Sequence, residues 1–237
     1  MFDRIAASLQ DLLFPRLCFA CEEKIRTGFL CPPCTNKIKF LRPPVCRLCS
    51  SVISNNTSGL CRSCRSRPAP YERLVSVAGY QEPLISLIHT FKYQHCDYLH
   101  YFLTNIMQEH LERIGMHAYG YDYVTAVPMH PEKLKSRGYN QAALLAASLA
   151  KYFTIPFKND IIYERKPKAS QTTLTKLKRQ ENVQGLFSAS EAARGARIIL
   201  VDDIVTTGAT IRECATALKI RGALAITAIT LAKTHVS

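Results

Sequence analysis

Eight cysteines and two adjacent aspartates are the residues of this chain best equipped for chemistry. The cysteines form four Cys-x-x-Cys pairs: Cys18/Cys21, Cys31/Cys34, Cys46/Cys49 and Cys61/Cys64. One such turn brings two sulfurs to one ion, and two turns complete the tetrahedron of a closed zinc site, with no position left for catalysis. The spacers hold 9, 11 and 11 residues. Consecutive pairing gives two stacked ribbons, whereas a cross-braced arrangement joins the first pair to the third; short hairpins favour the former. The expectation is two structural Zn²⁺ ions that staple about 55 residues too poor in apolar periodicity to build a core. Four copies of the motif argue against redox chemistry.

The aspartates lie in RIILVDDIVTTGAT, residues 197–210. Ile198, Ile199, Leu200 and Val201 run without alternation, the pattern of a strand buried on both faces. The chain is expected to leave the sheet there, so that Asp202 and Asp203 stand at its carboxyl edge, where ligands of open α/β sheets bind. A loop over 204–210 then leads into a helix whose first turn offers N–H groups and a positive dipole end to a phosphate. Gly208 permits close backbone approach. Thr206, Thr207 and Thr210 add hydroxyls, and the missing lysine excludes a Walker-type loop. Carboxylates repel the phosphate that such a turn attracts; they suit vicinal hydroxyls or Mg²⁺. A ligand with a diol at one end and a phosphate a few atoms away, such as ribose 5-phosphate, meets both demands. The bland alternative is a pair of acids that caps the loop and the helix.

Elements that would position these groups follow from the hydrophobic pattern. Strands are expected at 73–80, 121–128 and 197–202, with a short one at IIY (161–163) and a last one in LAITAITLA (224–232). Helices are expected in EPLISLIHTFKY, in DYLHYFLTNIMQEHLERI, over 140–153 and in TIRECATALKIRG, where Gly222 takes the C-terminal cap. Strands alternating with helices imply an α/β fold with a mainly parallel sheet covered on both faces. Pro68 and Pro70 mark a boundary, giving residues 1–70 as an N-terminal helix with the cysteine module and residues 71–237 as the α/β domain. Phe2, Ile5, Leu9 and Leu12 form a helical stripe. Asp3 and Asp11 and the short apolar centre argue against a signal peptide.

Two basic segments face this framework. In VPMHPEKLKSRGYNQA (127–142) a strand ends at Pro128 and a basic loop follows, with Lys133, Lys135 and Arg137 available to neutralise a phosphate-rich ligand and Gly138 easing a turn. A solvated basic loop is the plain alternative. Residues 165–179 carry six Lys/Arg and no acid. His130 has little claim to be a general base. Cys214 reads as core, and Cys96 is given no role.

The stretch IILVDDIVTTGAT resembles the phosphoribosyl-pyrophosphate (PRPP) motif of type I phosphoribosyltransferases. That resemblance implies ribose contacts from Asp202 and Asp203 with Mg²⁺ nearby. It also implies that Thr206, Thr207, Gly208, Ala209 and Thr210 wrap the 5-phosphate. A wider resemblance, to the ComF family, rests on LLFPRLCFAC, FKY around Lys92, VPMHPEKLKSRGYNQA and QTTLTKLKRQENVQGLF. It implies a zinc ribbon joined to a phosphoribosyltransferase domain and a part in natural DNA uptake. Residues 127–142 then hold the pyrophosphate loop, 165–179 the loop that closes over the reacting centre, and Lys133, Arg137 and Arg179 the pyrophosphate contacts.

The chain has 237 residues, 47% of them apolar, and a formal charge of +13. Eight zinc-bound thiolates would bring that to about +9. No run approaches the roughly 18 apolar residues of a membrane span. The cysteine density without a secretory signal points to a reducing compartment, expected to be the cytoplasm. A basic balance suits nucleic acid, and residues 16–70 hold ten Lys/Arg against Glu22 and Glu23. Two functions are carried forward. One is a PRPP- and Mg²⁺-dependent pentosyltransferase of unassigned acceptor and general base. The other is a non-catalytic PRPP sensor or adaptor that binds single-stranded DNA. Competence-machinery proteins are the expected partners of either.

Overall fold

The computed structural model describes residues 15–54, 58–165 and 185–234. The N-terminal stripe and all but the first residue of the 165–179 segment, Arg179 included, lie outside the described residues.

Four parallel strands form the central sheet in the order β1 (Arg73–Gly79), β6 (Ala225–Lys233), β5 (Arg197–Val205), β2 (Tyr123–Ala126). The apolar run of β5 explains its place in the middle. Ile199 and Val201 face one layer, with Val75, Val77, Ile229 and Leu231 beside them. Ile198 and Leu200 face the other, with Leu74, Ile226 and Ala228. Successive strand residues point to opposite faces, so a strand covered on both sides has no polar face to show. Each such side chain contributes about 1.5–3 kcal/mol by leaving water.

Helices α3 (Leu84–Tyr93), α4 (Leu99–Arg113) and α6 (Gln141–Phe153) cover the first face. Helix α7 (Ala209–Ile220) covers the second, together with a two-stranded antiparallel sheet of β3 (Ile162–Glu164) and β4 (Phe187–Ala189). Gly222 follows α7 at φ 94°, the left-handed conformation of a C-terminal cap.

The cysteine-rich part straddles the free margin of β1. Cys18, Leu30, Cys31, Cys34 and Ile38 join the first core layer; Cys46, Leu48 and Cys64 join the second. Between them the chain runs along β1: Leu41 N–H donates to Val77 O at 2.9 Å and Gly79 N–H to Lys39 O at 2.9 Å. Farther back, Leu74 N–H donates to Arg47 O, and the Ser50 hydroxyl both donates to Leu74 O and accepts from Ser76 N–H. Short helices α1 (Pro32–Thr35) and α2 (Arg62–Ser66) each carry the second cysteine of a pair.

Two sequence expectations need correction. β5 does not end at Asp202: it continues to Val205, because β6 is equally long and pairs Asp202 with Thr230 and Val205 with Lys233. The expected 204–210 loop shrinks to 206–208. Residues after Pro128 are also not a basic loop. Pro131–Arg137 form a helix, α5, with Pro131 in its first turn, His130 at its N-cap and Gly138 at φ 81° after its end. Proline near the start and glycine past the end are helix punctuation, and Lys135 and Arg137 complement the dipole at the last turn.

Candidate functional site

β2 stops opposite Val201 while β5 continues, so Asp202 and Asp203 flank an open step in the sheet's carboxyl edge. Their carboxylates are held by the backbone. Asp202 Oδ1 accepts from Asp203 N–H at 2.8 Å, and Asp203 Oδ1 accepts from Ile204 N–H at 2.7 Å. The second oxygen of Asp203 meets Lys92 Nζ at 2.7 Å, with both side chains mostly covered. Burial and the charge of Asp203 push the Asp202 carboxyl up to about 8. Two carboxylates this close do not both ionise readily.

Beyond the acids the chain turns through Thr206, Thr207 and Gly208. Gly208 has φ 77° and is the N-cap residue of α7. A Cβ there would meet Val205 Cγ2 at 3.7 Å, an ordinary contact, so backbone conformation and not space demands glycine. Ala209 N–H reaches the Thr207 hydroxyl at 3.4 Å. The N–H groups of Thr210 and Ile211 belong to the first helical turn, which has no carbonyls of its own helix to bond. The turn is therefore a cradle of amide and hydroxyl donors a few residues from two acids. The geometry suits a ligand with hydroxyls at one end and an anion at the other.

A third wall comes from α3 and α5. Arg137 lies over the Tyr93 ring, 4.9 Å from its centroid, donates to the Tyr93 hydroxyl at 3.2 Å and to Gln141 Oε1 at 3.1 Å. This anchors Arg137 beside the residue that follows Lys92. The string after Arg137 is structural: Gly138 takes the left-handed turn, and the Tyr139 hydroxyl donates to Phe91 O at 2.5 Å. Asn140 caps α6 through Ala142 N–H and donates to Val127 O. RGYNQ thus locks α5, α3 and α6 together, which sets where Lys92 and Arg137 stand. Lys133 is exposed on α5, without an ion pair among the described residues. His130 Nδ1 accepts from Glu132 N–H and so is used as a cap. Cys214 is fully buried in the α7 face.

Lys92 entered the sequence reading only as part of the FKY stretch that carries the family resemblance and was given no role there. Its signal was present, a lysine near the end of an amphipathic helix, but a lysine in the last turn of a helix is ordinary. The segment between β3 and β4 is tethered at its ends by Arg165 N–H to Leu186 O and by Gly185 N–H to Glu213 Oε2 on α7.

The cysteine clusters are consecutive. Sulfurs of Cys18, Cys21, Cys31 and Cys34 lie within 4.8 Å of one another, as do those of Cys46, Cys49, Cys61 and Cys64. Cross-bracing is excluded by this grouping. Cys21 Sγ and Cys31 Sγ are 3.6 Å apart, and Cys49 Sγ and Cys61 Sγ are 3.7 Å apart. A zinc tetrahedron with Zn–S near 2.3 Å has edges of about 3.8 Å, so the thiols fit the ion. Burial and the neighbouring thiols drive Cys34 up to about 12 and Cys64 higher still. Against the cost of burial, N–H groups of Cys31, Ala20 and Cys21 bring Cys18 down to about 6.

Comparison with known proteins agrees with this architecture. The double zinc ribbon domain family matches residues 9–65, and the phosphoribosyl transferase domain family matches residues 140–237. The DNA utilization protein YhgH of Escherichia coli K12 is 28% identical over 229 residues, 94% of this chain and 99% of that protein. Competence protein F of Haemophilus influenzae is 28% identical over 201 residues, covering 80% and 84%. Competence protein ComFC of Bacillus subtilis is 26% identical over 210 residues, covering 85% and 83%. No described helix is long and apolar enough to cross a membrane.

Proposed function

We propose a function on the premise that the chain is a member of the ComF family, a double zinc ribbon joined to a type I phosphoribosyltransferase domain. The α/β domain binds PRPP with Mg²⁺, and the protein handles single-stranded DNA in competence. One observation supports the PRPP reading above all: Asp202 and Asp203 lie at an open sheet edge, five residues after which a left-handed Gly208 starts a helix.

In this reading Asp202 and Asp203 accept hydrogen bonds from the ribose hydroxyls. Thr206, Thr207, Gly208, Ala209 and Thr210 take the 5-phosphate through hydroxyls and first-turn amides. Asp202 and Asp203 would hold Mg²⁺ directly or through water, and the ion would supply positive charge to the pyrophosphate oxygens. Lys92, paired with Asp203, turns to the pyrophosphate when ligand arrives. Arg137, fixed on Tyr93, supplies a second cation. Lys133 on α5 and Arg179, which lies outside the described residues, complete the pyrophosphate side. Cationic groups aimed at the departing pyrophosphate stabilise the charge that develops as the C1–oxygen bond loosens.

Each cysteine cluster holds one Zn²⁺ through four thiolates, which leaves zinc a folding role. The names of the relatives, competence protein and DNA utilization protein, support a role with imported DNA, and the basic balance of +13 fits a polyanion. A sensor reading stands beside the transferase. Among the described residues, no side chain of the site is placed as a proton acceptor for an incoming nucleophile.

The deciding experiment is incubation with PRPP, Mg²⁺ and a panel of nucleobases, with pyrophosphate release as readout. Release that disappears in Asp202→Asn/Asp203→Asn supports the transferase. PRPP binding without release supports the sensor. Failure to bind PRPP–Mg²⁺ at all removes both.

A further inference from the structure

A cavity of about 700 Å³ lies at the free margin of β1, between residues 41–50, the start of β1 and the end of α4. That is the size of small-molecule clefts. It is distinct from the site at Asp202: it opens at the margin of β1, and β6 lies between β1 and the β5 strand that carries Asp202.

Its lining is one-sided in charge. Arg42, Arg47, Arg73 and Arg113 border it, and among the described residues no aspartate or glutamate does. Arg113 pairs with Glu109 at 2.6 Å; among the described residues Arg42, Arg47 and Arg73 form no ion pair. The floor is apolar, made by Val75 and Ile114. His110 also lines it, is 3% exposed, and its Nδ1 has no hydrogen-bond partner among the described residues. Burial, with the charges of Arg113 and Arg73, holds that imidazole down to about 4, so it is neutral at pH 7 and ready to bond an uncharged group. Buried polar atoms ordinarily find partners, and unpaired guanidinium forks match phosphate oxygens.

We propose that this cavity binds a phosphorylated ligand of the nucleotide class, with its phosphate on Arg47 and Arg73 and its uncharged body on the apolar floor beside His110. A nucleoside phosphate can come from a free mononucleotide or from the 5′-phosphorylated end of a single strand. The proposal is independent of the PRPP reading, since no residue is shared.

Calorimetric titration of the zinc-loaded full chain with AMP, in the presence of saturating PRPP–Mg²⁺, tests it. AMP binding is expected to persist under these conditions. It should weaken at least tenfold in Arg47→Gln/Arg73→Gln and separately in Arg42→Gln/Arg73→Gln. Zinc content and melting temperature report that the variants are folded, and their PRPP affinity should be unchanged. Inorganic phosphate should bind at least tenfold more weakly than AMP. Loss of all AMP binding under PRPP, indifference to both arginine variants, or phosphate binding as tight as AMP would each overturn the assignment. Oligonucleotides with and without a 5′-phosphate then identify the source. Arginine-dependent preference for the phosphorylated end names the strand terminus, and its absence names the free nucleotide.

Discussion

Asp202 offers a sharp test, because it sits in its site at the cost of its charge. Burial and the neighbouring Asp203 raise its carboxyl from 3.8 to about 8. At neutral pH the folded chain therefore keeps a proton that the unfolded chain has released. The stability this proton contributes is complete below 3.8 and is lost as the pH rises through about 8. Between those limits the difference is close to one proton, which lowers stability by about 1.4 kcal/mol per pH unit. From pH 5 to pH 7 the loss is about 3 kcal/mol, or roughly 6–12 °C in melting temperature for a chain of this size. Asp202→Asn removes the titration while keeping an oxygen for Asp203 N–H. Melting curves of both proteins at half-unit steps from pH 5 to pH 8 provide the assay, and subtraction cancels the titrating groups that do not touch Asp202. The difference, variant minus wild type, should grow by several degrees in favour of the variant as pH rises. A difference that stays level, or that grows in favour of the wild type, refutes the argument. A companion signal is proton release when Mg²⁺–PRPP binds at pH 7, read as a dependence of the binding heat on buffer ionisation enthalpy.

Lys92→Met should weaken PRPP–Mg²⁺ at least tenfold in calorimetry while strengthening Mg²⁺ alone, since the lysine competes with the ion for Asp203; weakening of both would show that it acts otherwise. Gly208→Val places a β-branched residue at φ 77°, a cost of about 1–2 kcal/mol, and should abolish PRPP binding with the zinc content unchanged. Cys46→Ser should lower the zinc content from two ions to one per chain by elemental analysis and depress the melting temperature; two retained ions would contradict the ligand set.

The parts of this fold legible in the sequence are those with a local signature. β5 announced itself because an uninterrupted run of four branched residues has no other comfortable place than a doubly covered strand. The four cysteine turns fixed the ligands, and short hairpins favoured the consecutive pairing now seen. Helix α5 was legible in principle, through Pro131 and Gly138, yet its basic residues drew attention to charge instead of punctuation. β3 and β4 hold three residues each, too few for a periodicity, and they form only because each has the other as a partner. The length of β5 depends on β6, more than twenty residues later. The Lys92–Asp203 pair joins residues over a hundred positions apart, and no local pattern announces a contact made by packing α3 on the sheet. The seating of one ribbon on each core layer is likewise a product of tertiary packing.

The path of residues 39–41 and 47–50 along β1 has a bearing on life outside the folded monomer. An uncovered outer strand is a template for a neighbouring molecule, and here its cover is the link between two metal knuckles together with part of the second. Stripping the ions would loosen that cover first and lay bare an adhesive flank on a sheet whose interior is otherwise intact. Chelation should therefore show itself as clumping before it shows itself as melting, which makes zinc supply a determinant of solubility as well as of shape.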